Sequence, residues 1–346
     1  MDHARFADRD AHEVIDVRRG PEALDAMTRE GFWAVVATFE GAVTAVRFRR
    51  VTRRRGPSSG DVRADVTWRP LDRDWCTSLG RTAYLEAVRE VRDRIAAGAV
   101  YQVNVCRVLS HELPPEADLD GLDAILRQGN PAPHAARIRC AEAGLDVVSA
   151  SPELFLSRRD GRVVTRPIKG TAPTAEEMLP KDFAENVMIV DLMRNDLSGV
   201  CEPATVSVDE LCAVEQHPGL VHLVSTVSGR LREGVGWGDV FDATYPPGSV
   251  SGAPKSSALT AIRDLETRPR GPYCGAVGWV DADAGEADLA VGIRTFWAEH
   301  DEAGRRWLRF GTGAGITWHS DPAGEWAETE LKASRLIGLA AGTVTP

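Results

Sequence analysis

The sequence predicts an α+β domain, helices and hairpin strands within one chain, and three observations point there. Apolar residues alternate with polar ones in stretches such as GFWAVVATFE, AVTAVRFRRV and YQVNVCRVL, the period of half-buried strands. They recur at helical spacing elsewhere, as in Tyr84, Val88, Val91 and Ile95. Near the carboxyl end the turn-forming segments DADAGEAD and DEAGR each separate two apolar runs, as hairpins do. The chain has 346 residues and is 43% hydrophobic, and length alone does not separate one large core from two modest ones.

Taken in order, residues 1–75 hold a strand pair before an arginine-rich loop, RRRGPSSG, and carry no recognisable chemistry. A helix begins near Thr82 and stops at Gly98, and YQVNVCRVL follows as a strand. Helix and strand mix through residue 170. KDFAENVMIVDLMRNDL reads as a helix with Phe183, Val187 and Val190 on one face, followed by a polar loop and the apolar strand LVHLVSTV. PPGSVSGAPKSSALTAIRDLE is a glycine-rich loop feeding a helix, with Pro254 in its first turn and Leu259, Ile262 and Leu265 as the buried stripe. Two hairpins, 273–296 and 297–318, precede a final helix over 322–341 that sets Glu325, Glu328 and Lys332 on one face.

A net charge of −10 argues against a nucleic-acid partner. No run reaches the roughly 20 apolar residues of a membrane helix, and the opening residues carry charges of both signs, so no membrane association and a cytoplasmic location are expected. Six cysteines without metal spacing are expected to be reduced and mostly buried. Of 41 basic residues only four are lysine: Lys169, Lys181, Lys255 and Lys332. Arginine can replace lysine on a solvated face but cannot serve as an amine nucleophile or a compact ammonium, so each retained lysine is a candidate for a specific task.

Taken singly, the candidate residues are ambiguous. Glu153 in SPE follows an apolar strand, where sites are often built and where solvated loop carboxylates are also common. Lys169 sits between a strand and a glycine turn, and burial would leave part of it as free amine. Glu185 and Glu328 lie on separate helices; converging, they would suit magnesium, and apart they are ordinary surface residues. PPGSVSGAPK and GTGAG could turn N–H groups toward an anion or make tight turns only. His222 within LVHLVS fits a satisfied core histidine equally well.

The joint pattern is far more specific. In order the chain reads YQVN, SPELF, PIKGT, AENVMIVDLMRNDLSGVC, LVHLVSTVSG, PPGSVSGAPK, RGPYCGAVGW, GIRTF, GTGAGI and ETELKAS. Over roughly residues 80–340 this resembles the chorismate-binding enzymes, the family of anthranilate, aminodeoxychorismate, isochorismate and salicylate synthases. The resemblance implies one domain of two mostly antiparallel sheets packed as a sandwich with helices outside. Residues 1–75 would be a reduced amino-terminal strand region of that domain and 76–346 its catalytic part. It also implies Glu153 as the general acid toward the departing ring hydroxyl, and Glu185 and Glu328 as ligands of magnesium (Mg2+), which holds the ring carboxylate of chorismate. Tyr273 and Arg294 would grip the enolpyruvyl carboxylate. Gly313 and Gly315 would be backbone donors to a carboxylate, with Lys332 the ammonium nearby. His222 would pack against the ring, and Gly170 and Thr171 would line the pocket.

Two positions separate the family's branches. Members that add water resemble one another in a lysine base where this chain has Gln102, so an ammonia user is expected. Aminodeoxychorismate synthases typically carry lysine in the PI-x-GT block, here Lys169, and anthranilate synthases a small residue; in the former that lysine is understood to form a covalent adduct which ammonia displaces. The resemblance further implies a separate glutamine amidotransferase subunit as ammonia source. Cys274 and the run His300, Asp301, Glu302 imitate an amidotransferase set but fall inside the predicted hairpins. The rivals are another aminating synthase, giving anthranilate or 2-amino-2-deoxyisochorismate, and a silent chorismate-binding subunit. Among departures, Gly199 stands where arginine is usual and Tyr245 where phenylalanine is common, and neither removes a ligand.

Overall fold

A computed structural model describes residues 1–54, 68–72, 75–172, 174–217 and 220–346. The arginine-rich loop expected at RRRGPSSG lies outside these residues beyond Arg54. Among the described residues eighteen strands join one antiparallel hydrogen-bonded network. From Gln102–Glu112 it runs through Arg306–Ile316, Thr295–His300, Leu145–Ser151, His134–Cys140, His3–Arg5 and Arg9–Arg19. It continues through Val43–Arg53, Phe32–Ala37, Ala276–Asp281, Glu286–Val291, Leu154–Arg159 and Arg162–Arg166 to Leu220–Arg230. Twist accumulates from strand to strand, and a sheet of this breadth curls or splits into packed layers rather than staying flat. The expected α+β architecture is present, and its two sheets are continuous through shared pairings.

Seven helices among the described residues complete the domain: α1 Pro21–Arg29, α2 Arg81–Ala96, α3 Leu119–Gly129, α4 Pro180–Ser198, α5 Trp237–Thr244, α6 Lys255–Leu265 and α7 Pro322–Ala340. The anticipated α2, α4, α6 and α7 and both carboxyl-terminal hairpins are in place. None of the helices is long and apolar enough to cross a membrane. The described cysteines are all free, with Cys76 exposed, Cys212 part-buried and the other four buried.

Two expectations are corrected, and one strand lies where none was expected. On α4 the buried side chains are Asn186, Ile189, Val190, Met193, Asp196 and Leu197, whereas Phe183 is 40% and Val187 49% exposed. The helix is turned so that two polar side chains face inward, which an apolar count cannot anticipate. The polar loop before LVHLVSTV is largely a strand, Ser207–His217. Two register breaks, with Cys212 at φ 53°, interrupt its alternation and hide the period of two. The charged segment Arg9–Arg19, to which the sequence assigned no element, is a strand in the middle of the network. Its Arg9 is buried, stacked 3.6 Å above the Trp279 ring and paired with Asp281 at 3.2 Å and Glu286 at 2.6 Å.

Candidate active site

The two ends of the strand order meet around one cluster. Glu153 follows the buried strand Leu145–Ser151, and its backbone is fixed by Ser151, whose hydroxyl accepts from the Glu153 N–H (3.2 Å) and donates to the Val291 carbonyl (2.6 Å). The side chain is buried. Burial raises its pKa to about 7, against the opposing pull of a Ser249 hydrogen bond, the Lys169 charge, the Ile168 N–H and the Lys332 charge.

Lys169 lies on Ile168–Ala172, where the pairing with Leu220–Arg230 is interrupted between Ile168 and Thr171. Such a break re-aims a side chain out of the ladder. Gly170 makes it possible: it has φ 86°, and a Cβ there would sit 2.9 Å from Cβ of Asp182. The Lys169 ammonium donates to the Ser249 carbonyl at 2.9 Å. Burial lowers its pKa, and the nearby Glu185 and Glu153 charges work in the opposite direction. Thr171 is the register partner of His222, which is buried.

Glu185 points from α4 toward the same place. Its pKa is raised by burial, with Lys169 and Lys181 opposing and the charges of Asp182 and Glu328 adding to the rise. Gln102 approaches it with Nε2 at 3.5 Å, while the buried Gln102 Oε1 has no hydrogen-bond partner among the described residues. On α7, Glu328 pairs with Lys332 at 2.6 Å. Burial pushes the Glu328 carboxyl up, but Lys332, Lys181 and Lys169 together hold it below its usual value. Lys332 also donates to the Gly313 carbonyl at 3.2 Å.

Along Arg306–Ile316, three alternate glycines let side chains lie flush on the backbone. A Cβ on Gly311 would fall 1.9 Å from Cγ of Tyr273, on Gly313 2.5 Å from Sγ of Cys106, and on Gly315 2.5 Å from Nε2 of Gln102. Tyr273 is buried, and burial first, then the neighbouring Cys106 and Cys274, hold its hydroxyl well above the usual pKa. Arg294 occupies a left-handed conformation at φ 52° next to the strand carrying Ser149 to Ser151. Burial lowers its pKa, and among the described residues no hydrogen bond or ion pair engages its guanidinium. A desolvated guanidinium without an acceptor is a receptor for an anion.

Residues that the motif reading passed over belong to this cluster. Ser249 joins the acid to the amine, its hydroxyl on Glu153 and its carbonyl on Lys169; Asn104 Nδ2 donates to the same carbonyl at 3.0 Å. Both lay inside quoted motifs, PPGSVSGAPK and YQVN. Asp182 and Glu325 add carboxylates beside Glu185 and Glu328, and their spacing of three residues on the same helices was the available signal. No group of three or more metal-ligating side chains is gathered among the described residues. The cavity lined by Phe6, His134, Arg159 and Trp279 holds none of these groups.

Residues 51–338 match the chorismate binding enzyme family. The chain belongs to that family. It is 37% identical over 308 residues to anthranilate synthase component 1 of Streptomyces coelicolor, covering 84% of this chain and 58% of that protein. With aminodeoxychorismate synthase component 1 of Klebsiella aerogenes it shares 38% over 279 residues, 76% of this chain and 59% of the relative. The chain thus spans about three-fifths of the length of these relatives. Two solved structures share its fold: anthranilate synthase component I of Streptococcus pneumoniae (TM-score 0.79, 22% identity, 97% of this chain and 92% of that one), and the menaquinone-specific isochorismate synthase of Escherichia coli (TM-score 0.79, 18% identity, 98% and 88%).

Proposed function

We propose that this chorismate-binding enzyme converts chorismate and ammonia to 4-amino-4-deoxychorismate and water, as the synthase component of an aminodeoxychorismate synthase. Lys169 carries this reading. Its amine is part-buried, its pKa is pushed down by burial, and it stands within the charge field of a carboxyl whose pKa is raised to about 7. At neutral pH that pairing keeps a proton on much of Glu153 and leaves more free amine on Lys169 than an exposed lysine has. An acid and a nucleophile need those states.

Lys169 Nζ bonds to the ring as the C–O bond of the ring hydroxyl breaks, and Glu153 gives its proton to the departing oxygen, which leaves as water. Glu153 takes a proton back from the adduct nitrogen. Ammonia then forms the new C–N bond at the carbon that lost the hydroxyl, and the bond to Lys169 breaks as Glu153 returns that proton to the lysine. The product leaves as an ammonium and Glu153 is reprotonated from solvent. Splitting one hard substitution into two is the gain of a covalent route. Arg294 and Tyr273 bind the enolpyruvyl carboxylate, the Gly313 and Gly315 backbone with Lys332 bind a carboxylate, and His222, Gly170, Thr171 and Gln102 shape the pocket.

Glu185 and Glu328 fit a magnesium ion. Both donors are oxygen, as a hard cation prefers, and burial raises the Glu185 pKa despite the nearby lysines, so a divalent charge would restore its ionised form. When bound, the ion supplies positive charge for the ring carboxylate of chorismate. Ammonia comes from a separate glutamine amidotransferase subunit.

The relatives named anthranilate synthase support a second reading, amination at the ring carbon beside the one that carries the carboxylate. Liquid chromatography with mass-spectrometric detection of products from chorismate, magnesium and ammonium chloride, with an aminodeoxychorismate lyase added and authentic 4-aminobenzoate and anthranilate as standards for these equal-mass isomers, separates the two. The wild type yields 4-aminobenzoate, Lys169→Ala loses at least about a hundredfold in kcat, and chelation of magnesium stops turnover. Anthranilate as the product would overturn the assignment.

A further inference from the structure

Of the four lysines, Lys255 enters neither the chemistry above nor the electrostatics of its carboxylates. Lys255 opens α6, and its ammonium donates to Asp196 Oδ2 at 2.6 Å and to the Thr244 carbonyl at 3.0 Å. The pair is enclosed, with side-chain exposures of 17% and 8%. Asp196 lies near the end of α4, eleven residues beyond Glu185 and so about 16 Å along the same rod. Thr244 ends α5. One ammonium therefore draws together three helix ends.

Between Thr244 and Lys255 runs the turn that carries Ser249, whose carbonyl receives both Lys169 and Asn104. This turn lies flush on α4: a Cβ on Gly248 would sit 2.5 Å from Cδ2 of Leu192 and Cε of Met193. Other bonds tie the turn elsewhere. Arg270 Nη1 donates to the Val250 carbonyl at 2.8 Å, and Gly252 and Ala253 pair with Val103 and Gln102. The link from the far end of the turn to α4, the helix of Glu185, is Lys255 with Asp196. An enclosed ion pair is weak as a source of stability, since apolar replacement is often neutral. A compact ammonium with rotatable donors reaches two acceptors from different helices, whereas a guanidinium presents its donors in a fixed planar fork, a difference that gives lysine a reason at this position in a chain that otherwise prefers arginine.

We propose that Lys255 and Asp196 are positioning residues that lock the Ser249 turn onto α4 and so hold the Lys169 amine against the Ser249 carbonyl. The inference rests on the reading of Lys169 as the reacting amine, and its test is independent of the product. In the full-length chain without substrate, the rate of carbamylation of Lys169 by cyanate, followed by peptide mass spectrometry across a pH series, reports the pKa and exposure of that amine. K255M/D196N removes both charges with little change of volume, and D196N alone carries the same test should the double variant not fold.

With the folded state verified by thermal unfolding, the Lys169 labelling midpoint moves in both variants; kcat falls about tenfold or more while the KM for chorismate stays within about threefold. K255R does not rescue either quantity. A folded variant with wild-type kcat and an unchanged Lys169 labelling profile would overturn the proposal and leave the pair a structural contact. A wild-type product other than 4-amino-4-deoxychorismate would remove the proposed function, and the labelling result would still judge the clamp.

Discussion

Replacing Glu153 by glutamine is expected to exchange activity for stability, in amounts set by the same burial. The ordinary carboxyl value of 4.5 rises to about 7 in the folded protein; at roughly 1.4 kcal/mol per pH unit, burying the ionised form costs about 3 kcal/mol. Because the folded pKa lies above the unfolded one, the folded protein binds the extra proton. The favourable contribution is complete below the unfolded value and is lost as pH rises from 4.5 through about 7. Glutamine keeps an oxygen to accept from Ser249 and the Ile168 N–H but has no ionised form to bury. Glu153→Gln should therefore match wild-type stability in acid and exceed it by up to about 3 kcal/mol in mild alkali. Urea unfolding at several pH values measures this directly. In parallel, loss of the proton donor lowers kcat by about 10²–10⁴ and abolishes the alkaline fall in rate near the Glu153 pKa. A stability difference independent of pH, or a variant that keeps that alkaline fall, would refute the assignment of Glu153 as a buried, protonated acid.

Arg294→Met should raise the KM for chorismate by about 10- to 100-fold, since a charge-assisted hydrogen bond contributes about 1.5–3 kcal/mol; steady-state kinetics checks this. Gly311→Ala, whose Cβ would enter the Tyr273 ring at 1.9 Å, should destabilise by about 1–3 kcal/mol through overpacking and weaken chorismate binding by displacing Tyr273. Urea unfolding and substrate titration test these effects, and wild-type values in both would contradict the flush packing of that ring.

Much of the architecture was legible in the chain: helical spacing marked α2, α6 and α7, alternation marked the strands at 32–37, 43–53 and 102–112, and turn residues marked both late hairpins. Patterns of this kind are local, because burial on one face repeats with the period of the element itself. The order of motifs located the family, and the scarcity of lysine singled out four residues: Lys169, Lys255 and Lys332 are hydrogen-bonded to the site or its supports, whereas Lys181 is exposed and acts on Glu185 and Glu328 through its charge. What the tertiary structure decided is non-local. Arg9–Arg19 could enter the middle of the sheet because Asp281, Glu286 and Trp279, more than two hundred and fifty residues away, neutralise and cover Arg9. The inward face of α4 is set by Leu223 and Ser225, which accept from and donate to Asn186. The functional contrast between Glu153 and Glu328, one carboxyl pushed up to about 7 and the other held low, comes from burial and from where Lys332 reaches. Neighbours brought together by folding create the local dielectric and charge, and the identity of a glutamate in the sequence carries neither.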